Sequence, residues 1–365
     1  MLENGMINIR QLVLLFITSR IILAITYFPA SKSPPANQDL WLAMIVSIPV
    51  TILLAVPVMA LVAKYPQQTI IQYSQTIAGK FAGKVLGVLY IWYFLHEGAI
   101  VLRQFGELIT TVLMSDTPLV VFLIGLTIMA AYAARNGVEV ISRINEMSFP
   151  LILGSFLLIF ILVTKDMDLY KLTPMLEKGI LPVLDGGLST AARYSEFTWL
   201  AMIYPFVKDS EKANRAIQLG ILVCGIQFAL GAVMFTAIFG YPVVKNLAFP
   251  TLAVARTVSI ANFLERMESV IMVVWILGVL VKVALFYYVF TLGSAQWLNL
   301  KDYKPLVLPA GVILVAMSVL MFANLQELSG FMKPYIATPY TLIFILVIPV
   351  ILLLIDFVKP QSTKV

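Results

Sequence analysis

Ten apolar segments, each near the ~20 residues that carry an α-helix across a bilayer, occupy most of this chain. They run roughly over residues 11–28, 40–63, 85–111, 117–134, 146–164, 187–207, 216–241, 268–291, 305–323 and 336–358. Hydrocarbon offers backbone N–H and C=O groups no water, so a span must be a helix or part of a closed barrel. Barrel strands are about half as long and alternate in polarity, which these segments do not. The expectation is therefore an all-α polytopic membrane protein, with residues 1–365 as one membrane domain. Composition agrees, since 61% of residues are hydrophobic and only 12% are charged. A soluble surface needs many more charges.

The single cysteine, Cys224, and the single histidine, His96, leave no material for a disulfide framework or for a thiol or histidine-rich metal site. No metal and no cofactor are expected. The net charge of +6 is not read as nucleic-acid binding, because membrane proteins carry excess Lys and Arg on cytoplasmic loops. With the N-terminus inside, cytoplasmic connections hold 13 Lys and Arg and the outer ones 8. Both termini are thus expected in the cytoplasm. The Phe28-Pro29-Ala30 stretch lacks the small-x-small pattern of a cleavage site, so residues 11–28 are read as a retained first span.

Ten spans divide into five plus five. An odd repeat that starts on one side restarts on the other, so the second copy is inverted. The repeats are placed at approximately 8–165 and 186–360. Spans 1 and 6 share a flaw: Thr18-Ser19-Arg20 interrupts one, and Arg193-Tyr194-Ser195-Glu196 the other. Ser19 precedes Pro29 by ten residues and Ser195 precedes Pro205 by ten. Matched flaws in two halves of a membrane protein mark a midplane binding site built on broken helices. Among the connections, residues 65–84 show helical spacing beside Lys80 and Lys84, read as a helix on the cytoplasmic surface. Residues 165–186 read as an outer loop. Residues 242–267, with Val254, Val258, Ala261 and Leu264 at helical spacing, read as a helical outer cap.

Charges inside spans are costly unless paired or hydrated. Span 3 carries His96, Glu97, Arg103, Gln104 and Glu107. Arg103 and Glu107, at i and i+4, pair with each other or contribute to ion coupling. His96 and Glu97 are candidates for binding or proton relay, with an interhelical hydrogen bond the other reading of His96. Arg20 lies too far from Pro29 for easy snorkelling. It needs an acidic partner, Glu196 first and then Glu97 or Glu107, or an anionic ligand. Arg193, nearer the outer end, is expected to snorkel. Glu196 either receives an ammonium group or neutralises Arg20. Lys282 in span 8 carries a proton, replaces a bound sodium ion, or snorkels. In the link between spans 4 and 5, Arg143 is expected to pair with Glu139 and Glu146. No Walker loop, Gly-x-Ser-x-Gly or His-Glu-x-x-His is present, so no enzyme is expected.

Taken in order, Arg10-Gln11-Leu12, Pro29, Gln68-Thr69-Ile70-Ile71-Gln72-Tyr73, Arg135 to Pro150, Leu181-Pro182-Val183-Leu184, Glu196, Phe249-Pro250, Phe263-Leu264-Glu265-Arg266 and Lys282 resemble a known pattern. It is that of the spore germination permease family, the B subunits of GerA-type germinant receptors in the APC superfamily. The resemblance covers essentially the whole chain. It implies a LeuT/APC-like five-plus-five inverted repeat with broken helices 1 and 6. It also implies a small germinant, often an amino acid, a membrane A subunit and a lipoprotein C subunit as partners, and the inner membrane of a bacterial endospore as location. Amino acid transporters of this superfamily usually have a Gly-rich break in helix 1. Here Arg20 stands there without glycine, which implies that Arg20 takes over carboxylate binding or blocks transport.

Three functions remain in view. In the first, Thr18, Ser19, Arg20, Glu97, Tyr194, Ser195 and Glu196 bind a small zwitterion in a receptor subunit. In the second, a proton-coupled amino acid permease uses His96, Glu97 or Lys282 as proton carrier. In the third, a structural or channel-forming subunit uses the charges, with Arg103 and Glu107, as internal ion pairs. The bilayer is the expected surrounding, and no nucleic acid is expected.

Overall fold

The computed structural model describes residues 5–26, 36–193, 196–257 and 267–358. Among them the only extended pairing is a parallel bridge between Ile7 and Val207. Everything else of regular structure is helical: α1 Ile9–Thr26, α2 Leu40–Lys64, α3 Ile70–Ala78, α4 Lys80–Val112, α5 Leu119–Arg135 and α6 Val138–Val163. There follow α7 Leu181–Arg193, α8 Phe197–Ile203, α9 Ala213–Phe239, α10 Tyr241–Val244, α11 Pro250–Thr257 and α12 Met267–Trp297. The chain closes with α13 Val307–Leu320, α14 Leu325–Phe331, α15 Pro334–Leu342 and α16 Ile348–Val358, the last two joined by a wider π-helical turn at Ile343–Val347.

Each of the ten apolar segments contains helix. Six helical stretches are long and apolar enough to cross a membrane unaided: Asn37–Lys64, Lys80–Val112, Val138–Asp166, Ser210–Phe239, Met272–Trp297 and Pro334–Val358. The other four segments form α1, α5, the α7/α8 pair, and α13, which turns by 97° into α14. Asn324 fixes that turn: its side chain accepts from the backbone N–H of Gln326 and Glu327 and so caps α14. Within the bundle, α12 packs on α1, α4, α5 and α6. It is the central helix, with 78% of its apolar window buried against 28% for the window in α6. α7 lies close on α2, because Gly187 leaves room where any Cβ would strike Val46. The backbone of Ile7 donates to the Phe206 carbonyl and accepts from Lys208 N–H, so the chain before α1 is tied to the chain after α8.

Four expectations are corrected. The break expected at Thr18-Ser19-Arg20 is absent, and α1 runs unbroken through it. Those residues are polar but helix-competent, and α1 contains neither Gly nor Pro to force the backbone out of the helix. Residues 65–84 do not form one surface helix. Gly79, at φ +84°, divides them, a backbone angle only glycine adopts freely. α3 turns Ile70, Ile71, Tyr73 and Ile77 into the core, while Phe81 belongs to α4 and is 86% exposed. The expected outer loop is also shorter, since α7 begins at Leu181. The expected cap contains α10 and α11, with Val254 buried; Val258, Ala261 and Leu264 lie outside the described residues. Arg143 pairs with Glu139 at 2.5 Å, whereas Glu146 meets Arg10 at 3.6 Å and Gln11 at 3.2 Å.

Candidate functional site

α7 ends at Arg193 and α8 begins at Phe197, and Glu196 sits between them, buried. One oxygen of its carboxylate, Oε1, lies 2.6 Å from Nζ of Lys282 on α12. The other, Oε2, accepts the Trp199 indole N–H at 2.6 Å. The same Lys282 ammonium donates to the Ser19 carbonyl of α1 at 2.7 Å. A carbonyl oxygen has a second lone pair, so it can take this bond without leaving its helix. Lys282 is 1% exposed and Glu196 4%. One buried ammonium therefore ties three elements together: α1, the interruption between α7 and α8, and α12. A buried charge is tolerated when it is paired and hydrogen-bonded, and Glu196 and the Ser19 carbonyl supply the pair and a further bond to two of the three ammonium N–H donors. The snorkelling alternative for Lys282 does not fit a side chain held in this way.

The carboxylate offered first to Arg20 by the sequence is thus held by Lys282 and Trp199. Arg20 itself is buried, and its guanidinium carbon lies 5.5 Å from the Phe16 ring centroid and 5.8 Å from that of Phe228 on α9. Around this junction, the hydroxyls of Thr18, Ser19 and Thr198 are buried and have no hydrogen-bond partner among the described residues. Tyr194 and Ser195 lie outside the described residues.

On α4 the polar residues meet different surroundings. Glu97 is half-buried and within electrostatic reach of Arg193, Lys282 and Glu196 and also of Tyr93 and Tyr340, so it lies between the junction and the aromatic cluster of Tyr340. His96 sits within that aromatic cluster. Its Nδ1 is 3.0 Å from the Tyr340 hydroxyl, and its ring lies among Trp92, Phe331 and Tyr340 at centroid distances of 5.7, 5.3 and 4.9 Å.

Arg103 binds Glu107 through Nε at 2.8 Å and Nη2 at 2.7 Å. Its Nη1 donates to the carbonyls of Ser318 and Val319 at 3.2 and 3.1 Å. These are last-turn carbonyls of α13, which lack helical partners and sit at the negative end of the helix dipole. Arg193 does not snorkel outward: its guanidinium donates to the Met332 carbonyl at 3.3 Å and contacts the Met332 sulfur at 2.7 Å. Two arginines thus hold the bent segment, Arg103 before α14 and Arg193 after it. Ile100, Phe322, Leu328 and Met332 pack as a small core beneath.

Sequence reasoning missed Trp199 and Thr198. The signal was their place, three and two residues after Glu196 respectively; at three, one helical turn brings Trp199 back to the carboxylate.

A family model described as "Spore germination protein" matches residues 6–326. Spore germination protein KB of Bacillus subtilis (strain 168) is 27% identical over 351 residues, covering 94% of this chain and 93% of that protein. Putative spore germination protein YfkT of the same organism is 26% identical over 338 residues, with 90% and 91% covered. Spore germination protein XB of Bacillus anthracis is 25% identical over 284 residues, with 77% and 78% covered. Among solved structures, the nucleobase-cation-symport-1 family transporter MHP1, closed around bromovinylhydantoin, superposes with a TM-score of 0.67 at 13% identity, covering 98% of this chain and 94% of that one. MhsT in complex with L-phenylalanine gives 0.65 at 13% identity, with 96% and 92% covered. At that identity the likeness is one of fold, and the fold is a membrane transporter's.

Proposed function

The chain belongs to the spore germination permease family, and on that premise we propose that it is the integral membrane subunit of a spore germinant receptor. It spans the inner membrane of the endospore ten times, as a five-plus-five inverted repeat with both termini inside. It binds a small germinant at the interruption between α7 and α8. Membrane A and lipoprotein C subunits read the binding. The carrying observation is the Lys282 ammonium that joins Glu196 to the Ser19 carbonyl, beside three buried hydroxyls with no described partner. Transporter folds place their substrate where interrupted helices cross the midplane, and MhsT, on this fold, is in complex with L-phenylalanine.

The ligand is a zwitterion of amino acid size. Glu97 receives its ammonium, because Glu196 is already committed to Lys282 and Trp199. Its carboxylate is drawn to Arg20, with Thr18 and Ser19 lining the remainder; Tyr194 and Ser195, the other residues of the sequence pattern, lie outside the described residues. A bound ammonium group changes the field at Lys282 and Glu196. Binding therefore favours whichever arrangement of α1, α8 and α12 accommodates both cations, and that difference in affinity moves the equilibrium between two states. A thermal-shift screen of the purified chain against single amino acids tests this. The expected result is one or a few stabilising amino acids, with the shift lost in Arg20→Gln and in Glu97→Gln. Stabilisation that survives both substitutions removes the zwitterion reading.

A second reading, a proton-coupled amino acid permease, draws on the same observation, since Lys282 and Glu97 are ionisable groups near the midplane. Uptake of labelled amino acid into proteoliposomes, abolished by an uncoupler, selects it over a receptor that moves nothing.

A further inference from the structure

Where α4 begins, the surface carries charge and apolar side chains in an order that a lipid matches. Gly79 ends α3 and starts α4 at Lys80. Lys80 and Lys84, one turn apart, stand at the head of the helix. Below them Phe81, Val85, Val88 and Trp92 are exposed at i, i+4, i+7 and i+11, which is one face of a helix. Trp297, at the end of α12, closes the side. Its indole N–H donates to the Lys84 carbonyl at 2.9 Å, and the Lys84 ammonium lies 5.2 Å from the centre of its ring. The result is a hollow of about 490 Å3 lined by Lys80, Phe81, Lys84, Val85, Val88 and Trp297. No acidic side chain lines it, and no described salt bridge involves either lysine.

We propose that this hollow binds an anionic glycerophospholipid from the leaflet that α4 enters. The headgroup phosphate sits between the Lys80 and Lys84 ammonium groups, and an acyl chain follows Val85 and Val88 down the helix. Lysines at a membrane surface attract anionic lipid, and tryptophan settles at the headgroup level, the level this proposal gives to Trp297. The apolar walls distinguish the site from one for a free anion. A soluble phosphate would satisfy the lysines and leave Val85 and Val88 uncovered, whereas a lipid covers both.

The test is native mass spectrometry of the purified full chain in detergent, with phosphatidylglycerol and phosphatidylcholine in competition. Phosphatidylglycerol is expected to be retained in preference. Lys80→Gln with Lys84→Gln should weaken that retention by about 30-fold, two lysines each contributing about fivefold. Val88→Trp, which fills the hollow and alters no charge, should weaken it too. Lys301→Gln with Lys304→Gln, on other basic surface, should leave it intact. The proposal is overturned if the Lys301/Lys304 pair lowers retention as much as the Lys80/Lys84 pair. It is also overturned if phosphatidylcholine is held equally well, or if inorganic phosphate displaces the lipid. Should the double lysine variant fail to fold, Val88→Trp and Phe81→Ser carry the same test, and undiminished retention in both overturns it.

Discussion

Lys282 and Glu196, 86 residues apart in sequence, meet at 2.6 Å inside the bundle. The lysine is held a second time by the Ser19 carbonyl. Such a pair is weak evidence of net stability, because desolvation offsets most of the attraction. It is strong evidence that neither group stands alone: removing one member leaves the other charge buried without compensation, at about 3–5 kcal/mol. Lys282→Met and Glu196→Gln should each lower the unfolding midpoint of the purified protein markedly. The Lys282→Met/Glu196→Gln double variant should lose less than the sum of the two. Thermal unfolding in detergent, arranged as a double-mutant cycle, measures this, and additive losses would show that the pair does not act as one unit.

Glu97 is the acidic group at the junction that is only half-buried, and no described salt bridge claims it. Replacing it should therefore alter ligand response more than folding. A charge-assisted hydrogen bond contributes about 1.5–3 kcal/mol, so Glu97→Gln should raise the half-effective germinant concentration by roughly 10–150-fold. The unfolding midpoint should barely move. Spore germination titrated against germinant, together with protein abundance in the spore membrane, separates these effects. An unchanged titration at normal abundance removes Glu97 from the site.

The sequence made the helical segments legible because apolar runs of bilayer length have few alternatives. It also marked the interval between Arg193 and Phe197, because a charged carboxylate in an apolar run needs a reason. The same logic misread α1. Thr18-Ser19-Arg20 is as polar as its counterpart, but polarity alone does not break a backbone, and α1 lacks Gly and Pro. Periodicity carried the reading of residues 65–84 straight across Gly79, whose left-handed φ is a single-residue effect that a period count averages away. The partner of Glu196 was hidden for another reason. Lys282 and Arg20 were both buried cations on other helices, and only tertiary packing decides which of them reaches the carboxylate.

Arg103 performs two tasks that a lysine cannot share. Its Nε and Nη2 hold Glu107 while Nη1 caps the last carbonyls of α13, a division that depends on the planar fork of guanidinium. Arg103→Lys should keep the ion pair and lose the cap. Local opening of residues 320–332 should then rise, by tenfold or more if the lost bonds are worth about 1.5–3 kcal/mol. Hydrogen exchange resolved by peptide measures this against Glu107→Gln, which leaves the cap in place. Equal exchange in the two variants would show that the Arg103 cap is not what holds this segment closed.

His96 offers the sharpest division between a relay and a structural contact. As the single histidine, it is the side chain whose ordinary titration falls nearest neutral pH. The structure, however, turns it toward α14 and α15, with Tyr340 on its Nδ1 and three aromatic rings around it. A phenyl ring fits such surroundings. His96→Phe alone removes one partner of the Tyr340 hydroxyl and leaves it the Trp92 indole, at a net cost of about 0.5–1.5 kcal/mol. Adding Tyr340→Phe removes the hydroxyl as well. The double variant should then germinate with the wild-type dependence on pH and on germinant concentration. A pH profile flattened between pH 5 and 8 in the double variant, at normal abundance, would instead make His96 a proton carrier and favour the permease over the receptor.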